Sequence, residues 1–112
     1  MRHALPARLL AIALTAATGT AAAAEGNAED GRVKAYTCAG CHGIEGYRNA
    51  YPSYRVPKIY GQHYEYLVAA LNAYRSGERN HPTMRAQGES LSDQDIADLA
   101  RFLAGAPAPA AQ

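Results

Sequence analysis

The chain has 112 residues, 19% charged and 48% apolar, with two cysteines, no tryptophan and a formal net charge of +1. That length allows one domain of ordinary globular composition. Two cysteines allow one bridge at most, which excludes a disulfide-dense scaffold, and the near-neutral balance argues against a basic nucleic-acid binder.

The composition is uneven along the chain. Residues 1–24 hold ten alanines and, as charges, only Arg2 and Arg8. Leu9–Ala17 is an apolar run, and Ala22-Ala23-Ala24 supplies the small residues of a cleavage site before Glu25. This is the pattern of a secretory signal peptide over 1–24. A membrane anchor asks for about 20 strongly apolar residues, and this run is interrupted by Thr15, Thr18, Gly19 and Thr20. The expectation is export to the periplasm with no stable membrane insertion. Without the leader, nine Lys and Arg face ten Asp and Glu, a net charge of −1. A mature chain this short sits near the size at which a core alone gives thin stability and a bound group helps.

In the mature chain Asn27 is a candidate N-cap, with Asp30 three residues on. It opens a short helix through Val33, Tyr36 and Thr37 to about Cys38. Residues 43–60 contain Gly43, Gly46, Pro52 and Pro57 among Tyr47, Tyr51, Tyr54 and Tyr60, and read as an irregular loop laid on something apolar. From Gln62 the pattern changes. Leu67, Ala70, Leu71 and Tyr74 fall at i, i+3, i+4 and i+7, one face of a helix that stops at Ser76-Gly77. Residues 78–91, with His81-Pro82-Thr83-Met84, are predicted to be a second loop. The last helix has the clearest start: Ser92 as N-cap, Asp95 closing a capping-box variant, and Leu91 stapling onto Ile96. Ile96, Leu99, Ala100 and Leu103 form its apolar stripe, and Gly105 is its predicted stop. Ala106–Gln112 is an Ala/Pro tail, expected to be disordered. No segment has a strand period. The expected fold is all-α, with three to four short helices and long loops, in one domain over 25–105.

The chemistry sits at Cys38-Ala39-Gly40-Cys41-His42. C-x-x-C-H is a covalent haem attachment signature. Two thiols at this spacing meet the two vinyl groups on one porphyrin edge and form thioethers, and the next residue, His42, gives an imidazole nitrogen to the iron. A zinc site needs about four ligands, and there is no second cysteine pair. A thioredoxin-like dithiol belongs in a βαβ context, which is absent; a structural disulfide is the remaining rival. Export also fits, because haem c is attached outside the cytoplasm. One covalent haem c is therefore expected. For the sixth iron position the candidate is Met84, the one methionine of the mature chain. His63 and His81 compete with it, and the plain alternative is a gap-filling core methionine. A thioether favours ferrous iron, so His/Met ligation raises the potential relative to His/His.

These residues resemble a class I c-type cytochrome, of the small bacterial group that includes periplasmic two-haem cytochromes built from two such domains. The resemblance covers residues 28–104. It is carried by Gly31, Tyr36, Cys38-Ala39-Gly40-Cys41-His42-Gly43, Pro57-Lys58-Ile59-Tyr60-Gly61-Gln62, Tyr66-Leu67, Tyr74-Arg75-Ser76-Gly77-Glu78-Arg79, Met84 and Leu91-Ser92-Asp93-Gln94-Asp95-Ile96. It implies that the Pro57 carbonyl takes the other ring proton of His42. It further implies that Ile59 packs on the haem face, and that Tyr66, Leu67 and Tyr74 line or flank the pocket. Gly31 would let the first helix cross the last one near Phe102. Relatives often carry two methionines before the Leu-Ser-Asp block. Here Met84 is followed by Arg85-Ala86-Gln87-Gly88, which leaves no spare ligand.

The expected function is outer-sphere electron transfer by a soluble periplasmic carrier with unknown donor and acceptor proteins, as a monomer or a subunit of a small redox complex. The chain is not expected to be an enzyme itself. Two other readings stand beside it: the haem subunit of a periplasmic dehydrogenase, such as one that oxidises sulfur compounds, and a ligand-binding haem protein. Arg48, Arg55 and Lys58, close in sequence, form a positive patch, pair with the haem propionates or are a merely solvated surface. Eight of nine aromatics are tyrosines, read as pocket lining, with a tyrosyl relay as the lesser reading.

Overall fold

A computed structural model of the chain describes residues 24–51 and 53–107. The expected signal peptide, up to residue 23, and the tail from residue 108 lie outside the described residues. Within them the chain forms α1 (Ala28–Lys34), α2 (Tyr36–His42), α3 (Tyr64–Ser76), α4 (Pro82–Glu89) and α5 (Asp93–Gly105). No named strand forms among the described residues, and one isolated antiparallel bridge pairs Arg48 with Arg55. None of these helices is long and apolar enough to cross a membrane.

The all-α class matches the sequence, but five helices replace the three to four expected. The first predicted helix is two. It runs from the Asn27 cap, whose side chain accepts from the Glu29 and Asp30 N–H groups, to Lys34. It then breaks at buried Ala35 and resumes through His42, so the whole C-x-x-C-H segment is helical. The helix predicted to end at about Cys38 thus extends four residues further. A larger difference lies at α4, predicted as loop. Pro82 stands at its first turn, where a missing N–H costs nothing, and the His81 ring caps it by accepting from the Met84 N–H. Gly88 hid this helix by resembling a loop residue. It is in fact the contact point with α3: a Cβ there would lie 2.9 Å from the Arg75 nitrogen.

The ends of the two long helices behave as their sequences imply. Gly77 closes α3 in the left-handed conformation, at φ 79°. Ser92 and Asp95 form a full capping box on α5. Gly105, the predicted stop, is the last helical residue, and Ala106 is the C-cap.

α5 organises the fold by packing against α1 and α3. Ile96, Ala97, Leu99, Ala100 and Leu103 are buried. Leu67 of α3 joins Ala100 and Leu103 in the core, with Ile59, Val68 and Phe102 packed around them. The crossing of α1 over α5 depends on Gly31. A Cβ there would fall 2.0 Å from the Asp98 carbonyl oxygen and 2.9 Å from the Phe102 Cβ, so no larger residue fits. Asp98, the one buried charged residue among the described residues, accepts from the Asn27 N–H at 2.8 Å, Lys34 Nζ at 2.5 Å and Gln94 Nε2 at 2.8 Å. The same carboxylate thus ties the start and end of α1 to α5. Downstream of α2, the Gly61 N–H donates to the Leu103 carbonyl at 2.8 Å and pins the long loop to α5.

Candidate haem site

On α2, Cys38, Cys41 and His42 stand at i, i+3 and i+4, a spacing that puts them on one helix face. Both thiols are free. Cys38 is half-buried, and burial pushes its thiol pKa up. His42 Nδ1 lies 2.7 Å from the Pro57 carbonyl oxygen. A carbonyl only accepts, so Nδ1 carries the proton and Nε2 of a neutral ring keeps its lone pair for a metal.

These residues open onto a cavity of about 540 Å³. α2 contributes Cys38, Cys41 and His42, and the long loop contributes Tyr54, Arg55, Val56, Pro57 and Ile59. α3 adds Tyr66, Leu67, Ala70, Leu71 and Tyr74, and α5 adds Leu99 and Leu103. Met84 reaches the same cavity from α4, half-buried. Nine of the residues singled out in the sequence therefore line one space: Cys38, Cys41, His42, Pro57, Ile59, Tyr66, Leu67, Tyr74 and Met84. Met84 does so from a helix, where the sequence placed a loop.

The histidines and tyrosines separate. His63 is exposed and caps α3 outside the cavity, whereas His81 lines the cavity with its Nδ1 engaged by the Met84 N–H at 3.2 Å. Tyr54, Tyr66 and Tyr74 line the cavity, but Tyr36 and Tyr51 are 84% and 96% exposed, so the pocket-lining reading holds for only part of the tyrosine set. Arg55 lines the cavity, while Lys58 pairs with Glu45 at 3.3 Å on the surface. Of the three cations expected together, Arg48 and Arg55 are bridge partners, and Lys58 is paired elsewhere.

Of the polar rim, sequence reasoning singled out Arg55 and missed Lys34 and Arg79. The charged side chains lining the cavity are Lys34, Arg55 and Arg79, all cationic. Arg79 is held over the Tyr74 ring at 4.7 Å and reaches the Tyr66 hydroxyl at 3.3 Å. Lys34 is held by Asp95 at 2.7 Å and Asp98 at 2.5 Å, which raises its pKa and lowers theirs. Tyr74-Arg75-Ser76-Gly77-Glu78-Arg79 stood out in the sequence, but the return of Arg79 onto Tyr74 follows from the Gly77 turn and is invisible to helical periodicity.

Apolar walls, two thiols on one helix face, an imidazole with a fixed proton, a thioether and an all-cationic rim suit a flat apolar ring that carries iron and carboxylates. The comparisons with known proteins agree. The family model "Cytochrome c" matches residues 28–107. Cytochrome c-554(548) of Halomonas halodenitrificans is 41% identical over 80 residues, 69% of this chain and 93% of that protein. Cytochrome c4 of Pseudomonas aeruginosa is 36% identical over 96 residues, 86% of this chain but 46% of that protein. The cytochrome c4 structure from Acidithiobacillus ferrooxidans superposes with a TM-score of 0.60 at 22% identity, over 78% of this chain and 54% of that one, and shows the shared fold. The chain spans about half the length of these cytochrome c4 relatives. It belongs to the cytochrome c family, whose members carry covalently bound haem c and transfer electrons.

Proposed function

We propose that this chain is a periplasmic electron carrier with one haem c, bound through Cys38 and Cys41 and ligated by His42 and Met84. The observation that carries the reading is the convergence of all four on one cavity, with the His42 Nδ1 proton fixed by Pro57. When bound, haem supplies an iron that cycles between ferric and ferrous states and so carries one electron. The chain's residues determine how. Cys38 and Cys41 anchor the group at two points. Pro57 orients His42 and increases the basicity of Nε2. Met84 offers a soft thioether that favours the ferrous state and raises the potential. Buried Leu67, Leu99 and Leu103 keep water from the ring. Arg55 and Arg79, on the cavity lining, would pair with its carboxylates. Encounters of this kind use small, weak interfaces.

Met84 in the cavity supports a filled sixth position over the ligand-binding reading. A dehydrogenase subunit differs from a free carrier only in a stable partner, so purification from the native cell separates those two readings. The proposal is tested by mass spectrometry and reduced pyridine haemochrome spectra of the exported protein. One haem per chain, a two-thioether spectrum and a mature N-terminus at Glu25 are expected. A protein that leaves the cell folded but without covalent haem refutes the proposal.

A further inference from the structure

We infer that Tyr54, His81 and Thr83 form a clasp that positions Met84, an inference that rests on reading Met84 as an iron ligand. Met84 stands in the first turn of α4, a helix with only eight residues in which to hold an orientation. Its C-terminal half is fixed by the close approach of Gly88 to α3. The N-terminal turn, which carries the ligand, has a separate set of contacts. The His81 ring accepts the Met84 N–H through Nδ1 at 3.2 Å. The same ring meets Tyr54 edge-on, with centroids 4.5 Å apart at 80°, and faces Tyr74 of α3 at 6.1 Å and 76°. The Tyr54 hydroxyl lies 3.1 Å from Thr83 Oγ1, beside Met84 in sequence.

Each contact holds a neighbour or a backbone atom of Met84, and together they tie it to the loop that also carries Pro57. The Met84 sulfur needs to sit within bonding reach of a metal, so freedom in this turn weakens the bond directly. A cap residue that merely stabilised the helix would not need a second tether from a loop 29 residues away. His81 and Tyr54 are thus positioning residues, acting on iron through Met84.

The test uses the full exported, haem-loaded protein in the ferric state at pH 7. Imidazole is titrated in while the far-red sulfur–iron band is followed, and thermal midpoints are measured separately. His81→Ala is expected to lower the imidazole concentration for half-displacement about tenfold, the effect of losing a good cap. Tyr54→Phe keeps the ring pair, loses the hydroxyl bond and is expected to lower it about threefold. His81→Asn restores a cap acceptor and is expected to recover most of the loss. An unchanged imidazole midpoint in folded His81→Ala overturns the clasp, even if the thermal midpoint drops. If His81→Ala does not fold, unchanged midpoints in both Tyr54→Phe and Thr83→Val overturn it equally. Absence of the far-red band from the native protein refutes Met84 ligation itself, and the clasp falls with it.

Discussion

Asp98 and His42 show how single residues are set here: each is held by backbone groups far away in sequence. The Asn27 N–H, then Lys34 and Gln94, hold the Asp98 carboxyl below the usual aspartate range. Lys34, then the Ser92 side chain and backbone, do the same for Asp95. Both carboxylates therefore contribute stability above the ordinary aspartate pKa of about 4 and lose it as pH falls through their lowered folded values. Lys34, raised chiefly by Asp95 and then Asp98, contributes below the ordinary lysine range and loses that contribution as pH rises through its folded value. The denaturant midpoint of the haem-loaded protein is expected to be flat near neutrality and to fall below about pH 4. Asp98→Asn is expected to cost about 1–3 kcal/mol at pH 7, since a buried acceptor for three donors is weakened, and to shallow that acid limb. An unchanged acid limb in Asp98→Asn would remove Asp98 from this account. At this scale the sequence was uneven. Cys38, Cys41 and His42 were legible because their spacing is local. Asp98 was not, because its partners Asn27 and Lys34 lie 71 and 64 residues away.

Elements were legible where local signals agree. Ser92 and Asp95 announced α5, and Gly77 ended α3, because capping and left-handed turns are written in a few adjacent residues. Loss of the Ser92 side chain in Ser92→Ala is expected to lower stability by about 1 kcal/mol in chemical denaturation. α4 was illegible because its stability comes from contacts beyond the segment. His81 is a ring cap rather than a common cap residue, and Gly88 is retained where α3 comes within contact. Gly31 shows the same logic at the crossing of α1 and α5. Its role near Phe102 followed from family resemblance, and the distances give the cause. Gly31→Ala forces the Asp98 carbonyl away from a new methyl and is expected to cost about 2–3 kcal/mol in denaturant unfolding. A cost below a few tenths would mean the two helices separate freely.

At the scale of the molecule, the cavity and the core share their walls. Leu67 and Leu103 belong to the buried core and also line the space that Cys38, His42 and Met84 face. A bound ring would therefore join the core of a chain this short, consistent with the thin stability expected from its length. The Cys38→Ala/Cys41→Ala double variant, exported without a covalent anchor, is expected to lose most of its helical circular dichroism at 25 °C. Arg55 was singled out in the sequence, but the gathering of Lys34 and Arg79 with it at the cavity was not legible, because those residues are far apart in the chain and a net charge close to zero carries no information on where charges gather. If His42 and Met84 are the two iron ligands of one haem, the ferric absorption spectrum of the exported protein, read beside Met84→Ala and His81→Ala, reports it. The far-red sulfur–iron band is expected in the native protein, absent in Met84→Ala and still present in His81→Ala. Loss of low-spin haem in His81→Ala, with an unaltered spectrum in Met84→Ala, would contradict the assignment and give the sixth position to His81.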